Sequence, residues 1–233
     1  MILKYKIANK VVIMNPLYEP LLSQSKDYLC EKEEAMFDLT FTKQYFDNYC
    51  KDFPMLSIGE CEYMLYGSRF YNYLISNNGI LLHASCVVYR GYAYLFSAPS
   101  GTGKSTHTSL WLKHFKDAKI LNDDKPALVF EDDKLYAYGT PFSGKTNLNI
   151  NEKYPVKAII FIERSITNEI FRMNNNDAIY NILSQTLRPS EKSEMVNLLS
   201  MIDKIISSTR IYKLKCNITE EAVEVVYNKT NED

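Results

Sequence analysis

One ten-residue stretch concentrates residue types able to do chemistry: Ser97-Ala98-Pro99-Ser100-Gly101-Thr102-Gly103-Lys104-Ser105-Thr106. A polyphosphate needs several donors converging on its oxygens with no side chain in the way. Gly101 and Gly103 let backbone N–H groups come close, and a helix starting at the Lys-Ser pair would add its positive end. Lys104 reaches β- and γ-phosphate oxygens in such a loop, and Ser105 offers a hydroxyl to Mg²⁺. The full pattern G-x-x-x-x-G-K-[ST] would place glycine at position 98, where this chain has Ala98.

A second element is Asn122-Asp123-Asp124. Phosphoryl chemistry needs one acidic group to hold Mg²⁺ and another to accept a proton from the attacking hydroxyl. An Asp-Asp pair standing alone is more often a solvated turn; after a phosphate loop and a helix, the site reading is favoured. The third element is His83, which on its strand is either a structural histidine or a neighbour of the transferred group; the sequence leaves both open. Lys145, between Gly144 and Thr146, is equally open between a phosphate or acceptor contact and a solvated lysine. His107 and His114 fall on the helix after the loop and read as packing or surface residues.

These residues need elements to hold them. Ile80 to Tyr89 reads as one strand, Arg90-Gly91 as a tight turn, and Tyr92 to Phe96 as its hairpin partner leading into the loop. An amphipathic helix through Leu110, Trp111 and Phe115 follows. Strands are expected near 119–121 and 126–130, and another at 157–162, whose continuous apolar run predicts burial on both faces. Asn174 to Asp177 predicts a turn and a helix N-cap. Residues 191 to about 207 place Met195, Leu198, Leu199, Ile202, Ile205 and Ile206 at helical spacing, so these are core positions. The first 78 residues look β-rich: Ile2 to Ile7, Val11 to Met14, Leu39 to Thr42, Tyr63 to Tyr66 and Phe70 to Ile75 resemble strands. Gly59 and Gly67-Ser68 would supply turns between them. The expected division is a β-rich segment over 1–78, which either recognises substrate or completes the fold, and a phosphate-loop domain over 79–233.

Composition narrows the class. The chain has 233 residues, 46% hydrophobic and 24% charged, as soluble globular proteins do. Lys+Arg 27 against Asp+Glu 28 gives a formal net charge of −1, so no global field holds a polyanion. No basic patch is evident, and nucleic-acid binding is not expected. Apolar runs are strand-sized, far short of the roughly 18 residues of a membrane helix, and Lys4, Lys6 and Lys10 interrupt any signal-peptide core. The 5 cysteines are scattered without a C-x-x-C pair, which argues against a zinc site or disulfide framework and for a reducing, cytoplasmic compartment.

Taken in order, Leu82-His83-Ala84-Ser85, Ser100-Gly101-Thr102-Gly103-Lys104-Ser105-Thr106 and Asn122-Asp123-Asp124 resemble the catalytic domain of HPr kinase/phosphorylase and its small relatives. That group shares its phosphate-loop fold with ATP-dependent phosphoenolpyruvate carboxykinase. Gly139-Thr140-Pro141-Phe142-Ser143-Gly144-Lys145 is similar to the G-T-P-[WF]-S-G motif of small HPr-kinase-related proteins, some of which accompany peptide-modifying enzymes and phosphorylate serine on precursor peptides. The resemblance covers about residues 79–163 with specific motifs.

It implies an α/β fold of the HPr kinase/carboxykinase type, with a mixed, β-rich sheet and flanking helices. It further implies that Ser100 to Thr106 and Lys104 bind ATP, with Lys145 near the phosphates. Ser105 and Asp124 would hold Mg²⁺, Asp123 would act as base, and His83 would lie near the transferred group. The chain lacks the E-[VI]-R-G signature of the bifunctional enzyme, so phosphorolysis and HPr itself as substrate are not expected. Its length and the lack of a matching carboxylate-binding arginine set carboxykinase activity aside. The expected activity is an ATP/Mg²⁺-dependent transfer to a hydroxyl, serine first, of a peptide or small protein; a homo-oligomer is a reasonable expectation. Two alternatives stand beside it: a nucleotide-dependent switch module without transfer, and a small-molecule kinase acting on free serine or a similar metabolite.

Overall fold

The computed structural model describes residues 3–232. It is a mixed α/β fold in which a strongly curled sheet carries helices on both faces. Among the described residues, the main sheet has nine strands. Its spine is a twelve-residue strand numbered β10 (Lys153–Arg164). The first residues of β10 pair antiparallel with β9 (Lys134–Tyr138), and the remainder pairs parallel with β6 (Tyr92–Ser97) and β12 (Arg210–Cys216). Alternation along it is strict: Ile159 and Phe161 enter one core, and Ala158, Ile160 and Ile162 the other. The apolar run at 157–162 is thus buried on both faces, as parallel pairing on each side requires.

The hairpin leading to the loop forms as its sequence predicts. β5 (Ala84–Tyr89) pairs with β6 in register Tyr89↔Tyr92, and Arg90 and Gly91 take φ of 49° and 79°, the positive values of a tight primed turn. The helix α4 (Lys104–His114) follows the loop and packs Leu110 and Trp111 with Ala222, Val223 and Val226 of α7 (Glu221–Glu232) on one face of the sheet. Beyond β5 the sheet ends in β7 (Lys119–Asn122), and β8 (Ala127–Glu131) lies at the other limb beside β4 (Gly79–Leu81). The expected strand over 80–89 is therefore two strands. The chain leaves β8 at Leu82, and His83 donates its backbone N–H to Gln185 O (2.8 Å). Ala84 then donates to Asp124 O (2.9 Å) as β5 begins. The break puts His83 in the gap between the two limbs of the sheet.

The β-rich reading of 1–78 is corrected. Among the described residues of this segment, only β1 (Lys4–Ile7), β2 (Lys10–Ile13) and the two-residue β3 (Phe37–Asp38) are strands, forming a separate small sheet; Ile2 of the expected 2–7 strand lies outside the described residues. The segment is otherwise mainly helical: a single turn, α1 (Leu21–Gln24), then α2 (Lys43–Asp52) and the eighteen-residue α3 (Ile58–Ile75). The expected strand at 39–42 is irregular chain ending in Thr42, the N-cap of α2. Those at 63–66 and 70–75 are both part of α3, because aromatic residues that favour strands recur here at helical spacing: Cys61, Leu65, Tyr66, Phe70, Leu74 and Ile75 are buried. A capping box fixes its start, with the Ser57 side chain accepting from Glu60 N–H and the Glu60 carboxylate accepting from Ser57 N–H. Gly59 and Gly67 lie inside the helix. The absent Cβ of Gly59 leaves room for the carbonyl of Glu19.

The helix α5 (Asn175–Ser184) starts at the expected N-cap Asn174, and α6 (Lys192–Ser208) buries Leu198, Met201, Ile202 and Ile205 while leaving Leu199 exposed. Phe70, Leu74 and Ile75 of α3 share one core with Ile80, Leu95, Ile159 and Ile205, so hydrophobic packing is continuous across residue 78. The five cysteines are free thiols. Among the described residues, no helix is long and apolar enough to cross a membrane.

Candidate functional site

The stretch from Ser97 to Thr106 leaves the end of β6 and enters α4 through Gly103, the helix N-cap, at φ 120°. Gly101 stands at φ 77°. Both values lie where a side chain is strained, and a Cβ at either position would project into open space, not onto protein. The first bond of the helix is His107 N–H to Gly103 O (2.9 Å), so the N–H groups of residues 104–106 remain for an outside acceptor. Arg164, at the end of β10, donates Nε–H to Thr102 O (2.9 Å) and a terminal N–H to Gly101 O, bracing the loop. No motif in the sequence marks Arg164; its place at the end of a strand parallel to β6 is set by the tertiary fold.

Lys104 is buried, at 8% exposure, and its ammonium donates to Ala98 O (2.9 Å) instead of to a carboxylate. Burial lowers its pKa, with nearby Asp124 and Asp123 pulling the other way. A desolvated cation among unengaged backbone donors is the arrangement an anionic ligand completes.

The two aspartates occupy different surroundings. Asp123 is buried; its carboxylate accepts from Ser85 Oγ of β5, which also contacts Thr108 Oγ1 of α4 (2.9 Å). Asp124 is partly exposed. Its Oδ1 lies 3.4 Å from His83 Nε2, and its Oδ2 accepts from Lys125 Nζ (2.6 Å) and Tyr63 Oη (3.2 Å). The turn is held by Asn122, whose Oδ1 accepts from the N–H groups of Asp124 (2.9 Å) and Lys125 (2.7 Å) while its amide donates to Thr140 O. His83 Nδ1 faces Gln185 Oε1 at 3.1 Å. Burial first, then Lys104, lower the pKa of His83 against the pull of Asp124, so the ring is neutral near pH 7.

Of the segment 139–145, Ser143, Gly144 and Lys145 line the cavity, and residues of the N-terminal helices hold that end in place. Tyr63 of α3 accepts from Gly144 N–H (3.0 Å) while donating to Asp124. Burial first, then the charge of Asp124, hold its phenol far above its usual pKa, so it stays a donor. Gln24 at the end of α1 donates to Gly144 O (2.8 Å) and Asn147 Oδ1 (2.6 Å). Gly144 has φ 70°, and a Cβ there would meet Asp124 at 3.0 Å. Phe142 is buried against Tyr63 and Phe70. Tyr63 and Gln24 were missed in the sequence because no periodicity or motif marks them. Lys145 is exposed at the rim.

One cavity of about 570 Å³ brings together Tyr63, His83, Ser100, Gly101, Gly103 to Thr106, Asp123, Asp124, Gly144, Lys145 and Arg164. Thr102 is the one expected loop residue outside this lining, its carbonyl turned to Arg164. His107 lies beneath the helix instead, accepting from Trp111 Nε1 (3.2 Å), and His114 contacts Glu220 (3.2 Å). Among the described residues, no group of three or more His, Cys, Asp or Glu side chains is placed to hold a metal ion alone. One or two carboxylates completed by phosphate oxygens is the habit of Mg²⁺, and Asp123, Asp124 and Ser105 at this cavity fit that donor set.

No protein-family model matches the chain, and no curated protein matches it in sequence. Among solved structures, the Hpr(Ser) kinase/phosphatase from Coxiella burnetii is similar at 12% identity and a TM-score of 0.40, over 65% of this chain and 97% of that one.

Proposed function

We propose that this chain is an ATP/Mg²⁺-dependent kinase that moves a γ-phosphoryl group to a hydroxyl, serine first, of a peptide or small protein. The observation that carries the reading is convergence: a glycine-rich loop with free helix N–H groups, a buried lysine without a carboxylate partner and two carboxylates in different environments face one cavity. The loop amides and Lys104 bind the triphosphate and stabilise charge on the γ-phosphoryl oxygens as the bond to the leaving β-phosphate breaks. Mg²⁺, when bound, neutralises charge shared between the β- and γ-phosphates.

The two aspartates divide the remaining work. Asp123, locked to Ser85 between β5 and α4, is the metal-side carboxylate together with Ser105. Asp124, more exposed and steered by Tyr63, Lys125 and His83, takes the proton as the acceptor oxygen bonds to phosphorus and ADP departs. This exchanges the roles that the family resemblance implies for the pair. Support comes from their settings: Asp124 lies open to a second cavity beyond His83 and Asp123 does not.

The deciding experiment uses γ-labelled ATP and Mg²⁺ in lysate of the source cell, comparing wild type with Lys104→Ala. Label entering a protein, peptide or metabolite fraction only with wild type is the expected result and separates the peptide acceptor from the small-molecule one. Label released only as inorganic phosphate would favour a nucleotide switch.

A further inference from the structure

Asp124 is a partition. On one side lies the phosphate-loop cavity; on the other is a second cavity of about 440 Å³, and Tyr63, Met64, His83 and Asp124 line both. Two chain segments more than a hundred residues apart build the far walls. One is the face of α3 bearing Met64, Gly67, Ser68 and Tyr71, and the other is residues 184–187, just after α5. The second wall is pinned in place: Gln185 O accepts from His83 N–H, and Tyr71 Oη contacts Thr186 Oγ1 at 2.8 Å. The cleft is therefore preformed, as ligand sites usually are.

Its chemistry selects a ligand. Tyr49, Met64, Tyr71, Leu81 and Leu187 give apolar surface, and Met64 and Leu187 are 43% and 49% exposed at the mouth. Among the described lining residues, the formally charged Asp124 and Lys125 pair with each other at 2.6 Å. A zwitterion such as free serine would bury a carboxylate and an ammonium with no free partner for either, which is costly. A hydroxyl carried on an uncharged backbone beside a large apolar side chain meets what the cleft offers.

Resting on the kinase reading above, we infer that this second cavity is the acceptor site, and that its occupant is a peptide segment presenting serine with a large apolar residue next to it. The N-terminal helix α3 is then part of the acceptor site. The serine hydroxyl reaches Asp124 from the α3 side while the triphosphate lies on the Lys104 side.

The test uses blocked peptides Gly-Gly-Phe-Ser-Gly-Gly and Gly-Gly-Gly-Ser-Gly-Gly, together with free L-serine, under γ-labelled ATP and Mg²⁺. The expected kcat/KM favours the phenylalanine peptide by about tenfold or more, the yield of burying one aromatic side chain, and free serine takes no label. Leu187→Glu should erase that preference, whereas Leu112→Glu, on the exposed side of α4, should keep it; thermal unfolding reports that both variants are folded. Equal labelling of the two peptides, labelling of free serine, or a preference that survives Leu187→Glu would each overturn the assignment. So would failure to label either peptide by protein that still labels a lysate fraction. Inorganic phosphate as the sole product in both assays would instead remove the kinase reading, and the acceptor site with it.

Discussion

The two sides of Asp124 are built by different means. On the Lys104 side, one contiguous stretch from β6 into α4 supplies the phosphate-facing donors, mostly as backbone N–H groups, with glycine at 101 and 103 and the side chains of Lys104 and Ser105, while Asp123, Arg164 and residues 143–146 line the rest of the cavity. On the opposite side, the cavity is made of side chains brought from α2, α3, Lys125 and residues 184–187. A backbone-built site binds a chemical group common to all nucleoside triphosphates; a side-chain-built one can be recut for a particular acceptor without touching the loop. That contrast makes the phosphate side the general part of the proposed enzyme and the α3 side its specific part.

Lys104→Ala probes the general part most severely. It removes the buried ammonium at the start of α4 without introducing a new group, and transfer should fall about a thousandfold or more with any acceptor. A γ-label assay with the phenylalanine and the all-glycine serine peptides alike should show the loss. A variant that lost activity toward some acceptors only would blur the division between the two sides.

The aspartates sharpen the comparison at its boundary. Asp124→Asn should lower turnover by about a hundredfold to ten-thousandfold, the usual contribution of a general base, with Mg·ATP affinity retained in equilibrium binding. Asp123→Asn should instead weaken the Mg²⁺ dependence of nucleotide binding. Should the two phenotypes appear the other way round, the metal belongs on Asp124 and the proton on Asp123, as the family resemblance implies.

How much of this was visible beforehand follows the same division. The strand–glycine-rich turn–helix path, the Arg90-Gly91 hairpin, the doubly buried run in β10 and the N-cap within residues 174–177 are local signals, each readable within about ten residues, and each formed. The α3 side was not legible. Tyr63 to Tyr66 and Phe70 to Ile75 carry strand-favouring aromatics, yet tertiary burial on a helical stripe overrode that propensity, and the capping box at Ser57 and Glu60 was the local cue that marks the helix. The chain break at His83 depends on Gln185 and Asp124 holding its flanks, contacts made across the fold. Asp123 and Asp124 were legible as a pair; their different surroundings were not, because Ser85 comes from β5 and Tyr63 from α3, elements brought together only by the fold.

Tyr63 joins the two sides, since one hydroxyl accepts from Gly144 and donates to Asp124. Tyr63→Phe keeps the ring packed on Phe142 and removes only that bridge. The expected outcome is a kcat about tenfold lower with KM for ATP unchanged, because Asp124 loses a positioning donor and the loop amides do not. Leaving Gly144 N–H unpaired should also cost about 1–2 kcal/mol in denaturant unfolding. Tyr63→Ala, which also vacates the packing, should raise the acceptor KM as well. A Phe variant that changed stability alone would reduce Tyr63 to a structural residue.

The smallest expected effect lies under the loop and reads the phosphate side through stability alone. His107 packs against Phe96, accepts from Trp111, and burial pushes its pKa down to about 3. An unfolded histidine titrates near 6.5. Between those values the unfolded chain binds a proton that the folded one refuses, so this residue's contribution is intact above about pH 6.5 and is lost progressively as pH falls toward 3. The slope is at most about 1.4 kcal/mol per pH unit. His107→Gln can still offer an oxygen to Trp111 but cannot titrate, so the difference in unfolding free energy between wild type and variant should shrink steadily from pH 6.5 to 5, a comparison in which the carboxylates common to both cancel. A difference independent of pH would mean that the imidazole takes up its proton in the folded protein, and the helix that presents the loop would then rest on a charged residue.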